Sequence, residues 1–166
     1  MSLRICLILK AYVKSINLGE NENSRSDLKH FKEHAIRLAI AVGSLSKLDL
    51  KNDIIDGEAI YLSGRTIEKY STSNKKKIVI KQTLFFRSPN KELQEEFDSL
   101  IALIDTLIAK CSAKQCEVVY YKLLDFNEKE IASTLGRNQS TISQHSTAAG
   151  WYSIEKALMY FERRIL

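Results

Sequence analysis

The sequence predicts an α+β fold, with a small α/β part over residues 1–88 and an all-helical part over residues 89–166. Three observations carry this. The 166 residues include one proline and six glycines, too few turn formers for a many-stranded all-β protein. Short apolar, β-branched runs that read as strands occur only before Pro89, at residues 35–43 and 78–86. Beyond Pro89 the apolar residues recur only at helical spacing.

Residues 3–16 place Leu3, Leu7, Ile8, Ala11 and Tyr12 at helical spacing, and residues 17–27 form a polar, glycine-containing loop. Residues 35–43 (AIRLAIAVG) read as a buried strand, and residues 44–56 as a polar loop carrying a few apolar side chains. Residues 57–70 set Ala59, Ile60, Ile67 and Tyr70 on helical spacing. A turn with three lysines at 71–77 leads to a second strand at 78–86. Arg87, Ser88, Pro89 and Asn90 mark the domain boundary. Proline disfavours helix in the residue before it and suits a first helical turn. A long helix follows over 91–110, with Leu93, Phe97, Leu100, Ile101, Ile104 and Ile108 on one face.

Composition narrows the class. Hydrophobic residues make up 45% of the chain and charged residues 27%, which excludes a disordered sequence. No apolar run approaches the ~18 residues of a membrane span, so no membrane partner is expected. The apolar opening over residues 1–10 runs on into a polar, periodic segment without a small-residue cleavage site, so no signal peptide is expected. Cys6, Cys111 and Cys116 are an odd number at no metal spacing, each among apolar neighbours. They read as small buried hydrophobes in a reducing, cytoplasmic compartment. Twenty-five basic residues against 20 acidic ones give a net charge of +5 and a pI near 9.0. That balance permits nucleic-acid binding without requiring it.

The most informative stretch is 112–157. Ser112 reads as the N-cap of a helix running through Cys116, Val119, Tyr120 and Leu123. Residues 125–127 break it. Asn127 then caps a short helix over 128–135, with Glu130 as its capping-box partner and Gly136 suited to the left-handed position that ends it. After Arg137 and Asn138 a third helix spans 139–149, and Gly150 ends it. The spacing is that of a helix-turn-helix. Ile131, Leu135 and Ile142 are the apolar anchors, and Ala132 lets the helices approach. Gln139, Ser140, Thr141, Ser143, Gln144 and His145 offer short hydrogen-bonding side chains of the kind that enter a major groove.

The segment resembles the helix-turn-helix of sigma-factor region four and of LuxR-type regulators. The residues carrying the likeness are Ser112, Gln115, Glu117 and Val118, then the run EIASTLG at 130–136, then QSTISQ at 139–144. The resemblance implies duplex DNA as partner. Gln139, Ser140, Thr141, Ser143, Gln144 and His145 would then read base edges, and Lys129, Arg137 and Asn138 would touch backbone phosphates. No charged residue lies between Arg137 and Glu155, and residues 112–166 carry seven basic and six acidic side chains. One copy would bind modestly, so a homodimer is expected. A second resemblance spans about residues 3–166. RLAIAVG at 37–43, DGEAIYLSGR at 56–65 and AAGW at 148–151 occur in the order found in SatD-family proteins. The strand–loop–helix at 35–69 is also similar to part of the ferredoxin-like palm of class III nucleotide cyclases. The likeness implies a partial ferredoxin-like α/β domain, like a palm lacking its N-terminal portion.

Such a palm holds metal ions with two carboxylates, and no strand-borne aspartate pair precedes residue 35. Asp53, Asp56 and Glu58 read instead as helix-capping groups. His30 and His34 are four apart without a partner ligand and read as surface residues. Lys75, Lys76, Lys77, Lys81 and Arg87 form the most basic segment and read as a solvated strand end. Tyr120, Tyr121, Trp151, Tyr152, Tyr160 and Phe161 read as core. No phosphate loop, nucleophile elbow or triad is present. The expectation is a non-enzymatic DNA-binding regulator without cofactor, whose α/β part self-associates or senses a small-molecule effector. A protein-interaction module and a remnant cyclase-like enzyme are the alternatives.

Overall fold

The computed structural model describes residues 37–49, 51–52, 54–72 and 82–165. The helix expected at 3–16, the loop at 17–27, His30, His34, Cys6, Asp53, Lys75, Lys76, Lys77 and Lys81 lie outside the described residues. The described elements are β1 (Leu38–Ala41), β2 (Leu45–Asp49), β3 (Ile54–Gly57), α1 (Glu58–Thr72), β4 (Leu84–Arg87), α2 (Lys91–Ala109), α3 (Ala113–Leu123), α4 (Glu128–Leu135), α5 (Gln139–Ala148) and α6 (Trp151–Ile165). The fold is α+β, with an all-helical C-terminal region. No described helix is long and apolar enough to cross a membrane. Contacts divide the described chain into two units, 37–105 and 106–165, so the division falls inside α2 rather than at residues 87–90.

In the first unit β1 and β4 pair in parallel, with Leu38 opposite Leu84 and Ala41 opposite Arg87. Leu84, Phe85 and Phe86 are all buried, a continuous apolar run that marks a strand covered on both faces. Tyr70 of α1 stacks on Phe85 at 4.3 Å, and Phe97 of α2 meets Phe86 edge-on at 5.5 Å. The free edge of β4 is closed by side chains. Asp105 is buried, and its Oδ2 accepts the Thr83 and Leu84 N–H groups at 2.7 and 3.3 Å. Its Oδ1 accepts the Thr83 hydroxyl at 2.8 Å. Asp98, two turns earlier on α2, accepts the Phe86 N–H at 3.1 Å and pairs with Arg87 at 2.9 Å. A helix thus does for β4 what a third strand would do, since buried N–H groups must find acceptors.

Two expectations change here. Residues 44–56 are an antiparallel hairpin, β2 with β3, instead of a loop. Asp49 is the turn: its carboxylate accepts the Lys51 and Asn52 N–H groups and the Asn52 side-chain amide. The polar residues that read as loop are the connection, and the leucines and isoleucines beside them are the strands. Leu48 is 58% exposed and Leu45, Ile54 and Ile55 are also exposed, so no half-buried alternation betrays the strands in sequence. Gly57 closes the hairpin at φ 147°, where a Cβ would lie 2.5 Å from the Ser44 carbonyl oxygen. The described part of the second strand, expected at 78–86, runs over Leu84–Arg87 with residues 82 and 83 outside it, and residues 78–81 lie outside the described residues. Helix α2 starts after Pro89, with Asn90 Oδ1 accepting the Leu93 N–H.

In the second unit Val118, Ile131, Ala132 and Ile142 form a buried cluster with Tyr121, Phe126 and Leu135 packed on it. Ile154, Leu158 and Phe161 bury one face of α6. This corrects part of the aromatic reading: Tyr152 is 74% exposed and Tyr160 is exposed, because the buried stripe at i, i+4, i+7 leaves them on the outer face.

Candidate nucleic-acid interface

Local chemistry fixes each helix end of the 112–150 segment. Ser112 and Gln115 form a reciprocal capping box at the start of α3, Ser112 N–H donating to Gln115 Oε1 at 2.8 Å. Helix α3 stops at Asp125, whose φ of 64° is left-handed. The Phe126 N–H reaches back to the Tyr121 carbonyl at 3.1 Å, and the two rings meet edge-on at 5.5 Å. This is a Schellman stop with its apolar contact, built on an aspartate where glycine is usual. Asn127 and Glu130 then form a second capping box, Asn127 Oδ1 accepting the Lys129 and Glu130 N–H groups. Glu130 Oε2 accepts the Asn127 N–H at 2.8 Å. Gly136 ends α4 at φ 60°. A Cβ there meets nothing within 4 Å, so backbone conformation alone selects glycine. The Arg137 N–H bonds the Ala132 carbonyl at 2.9 Å and closes the turn.

Helix α5 rests on Ile142, Ser146 and Ala149, the last being its C-cap. At about 100° per residue the opposite side carries Ser140, Gln144, Thr147 and Ala148, all exposed. Thr141 and Ser143 flank that side half-buried, and Gln139 is exposed at the first turn. His145 lies half-buried towards the core side, away from the outermost face. The structure therefore brings Ser140 and Gln144 onto one surface, leaves Gln139 exposed at the helix start about 140° round from Gln144, and sets His145 apart. Thr147 and Ala148 belong to the outer face and were missed. Their positions, three and four residues beyond Gln144, were the available signal. Asn138 is exposed and caps α5 through its backbone only, so its side chain is not consumed by the fold.

The cations divide into two groups. Arg137 Nη2 pairs with Glu117 at 3.1 Å and Lys122 with Glu128 at 3.7 Å. Arg137 Nη1 is buried without a hydrogen-bond partner, so this guanidinium braces the turn against α3. Lys110, Lys114, Lys129, Lys156 and Arg163 are exposed, with no ion pair among the described residues. A groove of about 290 Å³ between the end of α3 and α6 is floored by Leu123, Trp151, Leu158 and Met159 and rimmed by Asp125, Glu155 and Glu162. Its carboxylates repel phosphate.

The other candidate groups serve the fold. Asp56 accepts its neighbour's N–H from Gly57 at 2.8 Å, and Glu58 accepts the Ser44 N–H and hydroxyl, tying α1 to the hairpin. Arg87 is held by Asp98. Among the described residues no group of three acidic, histidine or cysteine side chains is placed to hold a metal ion. Cys116 is buried as expected, but Cys111 is half-buried, and a hydrogen bond from the Cys116 thiol holds its own thiol below the usual range. Comparison with protein-family models, curated proteins and solved structures returns no match to this chain.

Proposed function

We infer that the chain is a cytoplasmic, SatD-like regulator that binds duplex DNA through its second unit, with α5 in the major groove. The observation that carries this is the α4–Gly136–α5 arrangement. A capped helix, α4, ends at a left-handed glycine, and α5 beyond the turn presents amide and hydroxyl groups outward. Gln139, Ser140 and Gln144 face base edges, and Thr141 and Ser143 lie at the groove walls. Lys129, at the start of α4, and Asn138 contact phosphate. So do the first N–H groups of α5, which no side chain of the fold caps. The role of Arg137 is indirect, since Glu117 neutralises it. The α/β unit would pair two copies or bind an effector.

Fluorescence anisotropy of the whole chain on a random duplex tests this at about 50 and about 200 mM salt. Phosphate contacts by Lys129 and by two more of the exposed cations predict a logarithmic salt slope near −2.7, or about 40-fold weaker binding at the higher salt. Salt-insensitive binding, or none at the lower salt, overturns it. The second reading is a protein-docking module, favoured by the absence of any cation on the outer face of α5. It predicts no duplex binding at either salt.

A further inference from the structure

We propose that the outer face of α5 reads adenine–thymine pairs, a specificity that rests on the DNA-binding reading above. The face consists of Ser140, Gln144, Thr147 and Ala148, all exposed, with Gln139 exposed at the first turn. In the major groove each base has its own complement. Arginine or lysine suits guanine, which offers two acceptors, and a carboxylate suits the donor on cytosine. Neither type is present: residues 138–154 contain no Asp, Glu, Lys or Arg. The one nearby guanidinium, Arg137, is turned to Glu117. His145, whose ring could also donate to guanine, sits half-buried on the core side of the helix, and the hydroxyls on the face suit any base without preferring guanine.

What the face does carry is the complement of A·T. A glutamine amide donates to adenine N7 and accepts from its N6 amino group at the same time. Gln144 presents such an amide on this face, and Gln139 carries another at the exposed helix start. The methyl groups of Thr147 and Ala148 suit the thymine C5-methyl, the apolar feature that sets thymine apart. Thr147 and Ala148 follow Gln144 by three and four residues, one helical turn, so amide and methyl groups lie on one strip of the surface. Gln144 is assigned the adenine, with Thr147 and Ala148 packing on a thymine methyl beside it.

The test uses the full chain and a random-sequence duplex pool, from which bound molecules are selected and sequenced. The selected duplex is then remade with 7-deazaadenine for adenine, removing N7, or with uracil for thymine, removing the methyl. Expected are an enriched block of A·T pairs, about 5-fold or more weakening by 7-deazaadenine at one position, and a smaller loss with uracil. Gln144→Ala, at an exposed site, removes both bonds and should bind the unmodified duplex at least as weakly as the wild type binds the deaza duplex, and show no further loss on it. Enrichment of guanine, or salt-dependent binding without any sequence preference, overturns the adenine–thymine assignment and leaves DNA binding standing. A Gln144→Ala variant that still responds fully to 7-deazaadenine overturns the residue assignment. No capture from the pool at low salt overturns the DNA-binding reading itself.

Discussion

Replacing Asp105 by alanine should unfasten β4 from α2. The carboxylate is 4% exposed and accepts three hydrogen bonds: two backbone N–H groups on Oδ2 and the Thr83 hydroxyl on Oδ1. Alanine strips this acceptor from all three donors at once. A buried donor that loses its acceptor costs about 1–3 kcal/mol. Leu84 is fully buried, whereas Thr83 is half-exposed and recovers part of its loss to water. The sum is about 2–4 kcal/mol, a large part of the roughly 5–15 kcal/mol that holds a domain folded. Asparagine is the informative control. Its carbonyl oxygen can take the Oδ2 position and keep both backbone bonds, while its amide donates to a Thr83 hydroxyl that rotates to accept. Asp105→Asn should therefore cost under about 1 kcal/mol, the charge-assisted share. Denaturant unfolding measures both, with hydrogen exchange at Leu84 and Phe86 as the local reading. Amide protection should fall by about 30-fold or more in the alanine variant, from the tenfold per 1.4 kcal/mol relation. Equal losses for alanine and asparagine, or unchanged exchange at Leu84, would refute the assignment of the edge to this hydrogen-bond set.

Asp125→Asn should stabilise the second unit by about 0.5–1 kcal/mol. Asparagine tolerates the left-handed φ of 64° as well as aspartate does, and the change removes a negative charge from the C-terminal end of α3. Thermal unfolding followed by Trp151 fluorescence checks it, and a lower midpoint contradicts it. Asp49 titrates below the ordinary carboxylate range, because the Asn52 side chain and then its backbone N–H hold the ionised form. The hairpin therefore carries this stabilisation above the unfolded-state pKa and loses it as pH falls through the lower folded value. NMR titration should place the Asp49 midpoint under about 3.9, and Asp49→Ala should abolish the acid sensitivity of the β2–β3 amides. Glu117→Gln releases Arg137 from its 3.1 Å pair. Stability should drop by no more than about 1 kcal/mol, as for other partly exposed pairs, while the salt slope of duplex binding should steepen by about 0.9.

The helical half was legible because its signals are local. Asn127, Glu130 and Gly136 each act within four residues of themselves, so their spacing alone predicts the ends of α4. The start of α2 after Pro89 and the burial of Ile131 and Ile142 follow from the same short-range logic. What the sequence concealed depends on pairing at a distance. Asp105 reaches Thr83 across 22 positions, and no periodicity marks a carboxylate whose partner is a strand edge. The hairpin was hidden for a different reason: Leu45, Leu48, Ile54 and Ile55 are exposed, so burial did not impose alternation. Within the candidate interface, residue identity was readable but direction was not. His145 looks like a base-reading side chain until the buried positions of Ile142, Ser146 and Ala149 fix the rotation of α5.

That rotation bears on how the second unit divides its charge between folding and binding. Two cations beside the α4–α5 turn, Arg137 and Lys122, are each neutralised by a glutamate on a neighbouring segment. They hold α3 to the turn and to α4 and add little to the field outside. The surface offered by α5 is then one of dipoles and methyl groups. Under the DNA-binding proposal this has a definite consequence. Sequence-independent affinity comes almost wholly from phosphate neutralisation, so a unit with no cation on the outer face of α5 binds random duplex weakly. Discrimination by hydrogen bonds at base edges is not reduced by the same economy, because each good bidentate contact still separates right from wrong base by about 1–3 kcal/mol. Weak background binding with undiminished readout raises the ratio that decides occupancy in a genome. It also makes a single unit insufficient, since a few base contacts alone fall short of a stable complex. Two copies on adjacent half-sites about 34 Å apart restore the affinity.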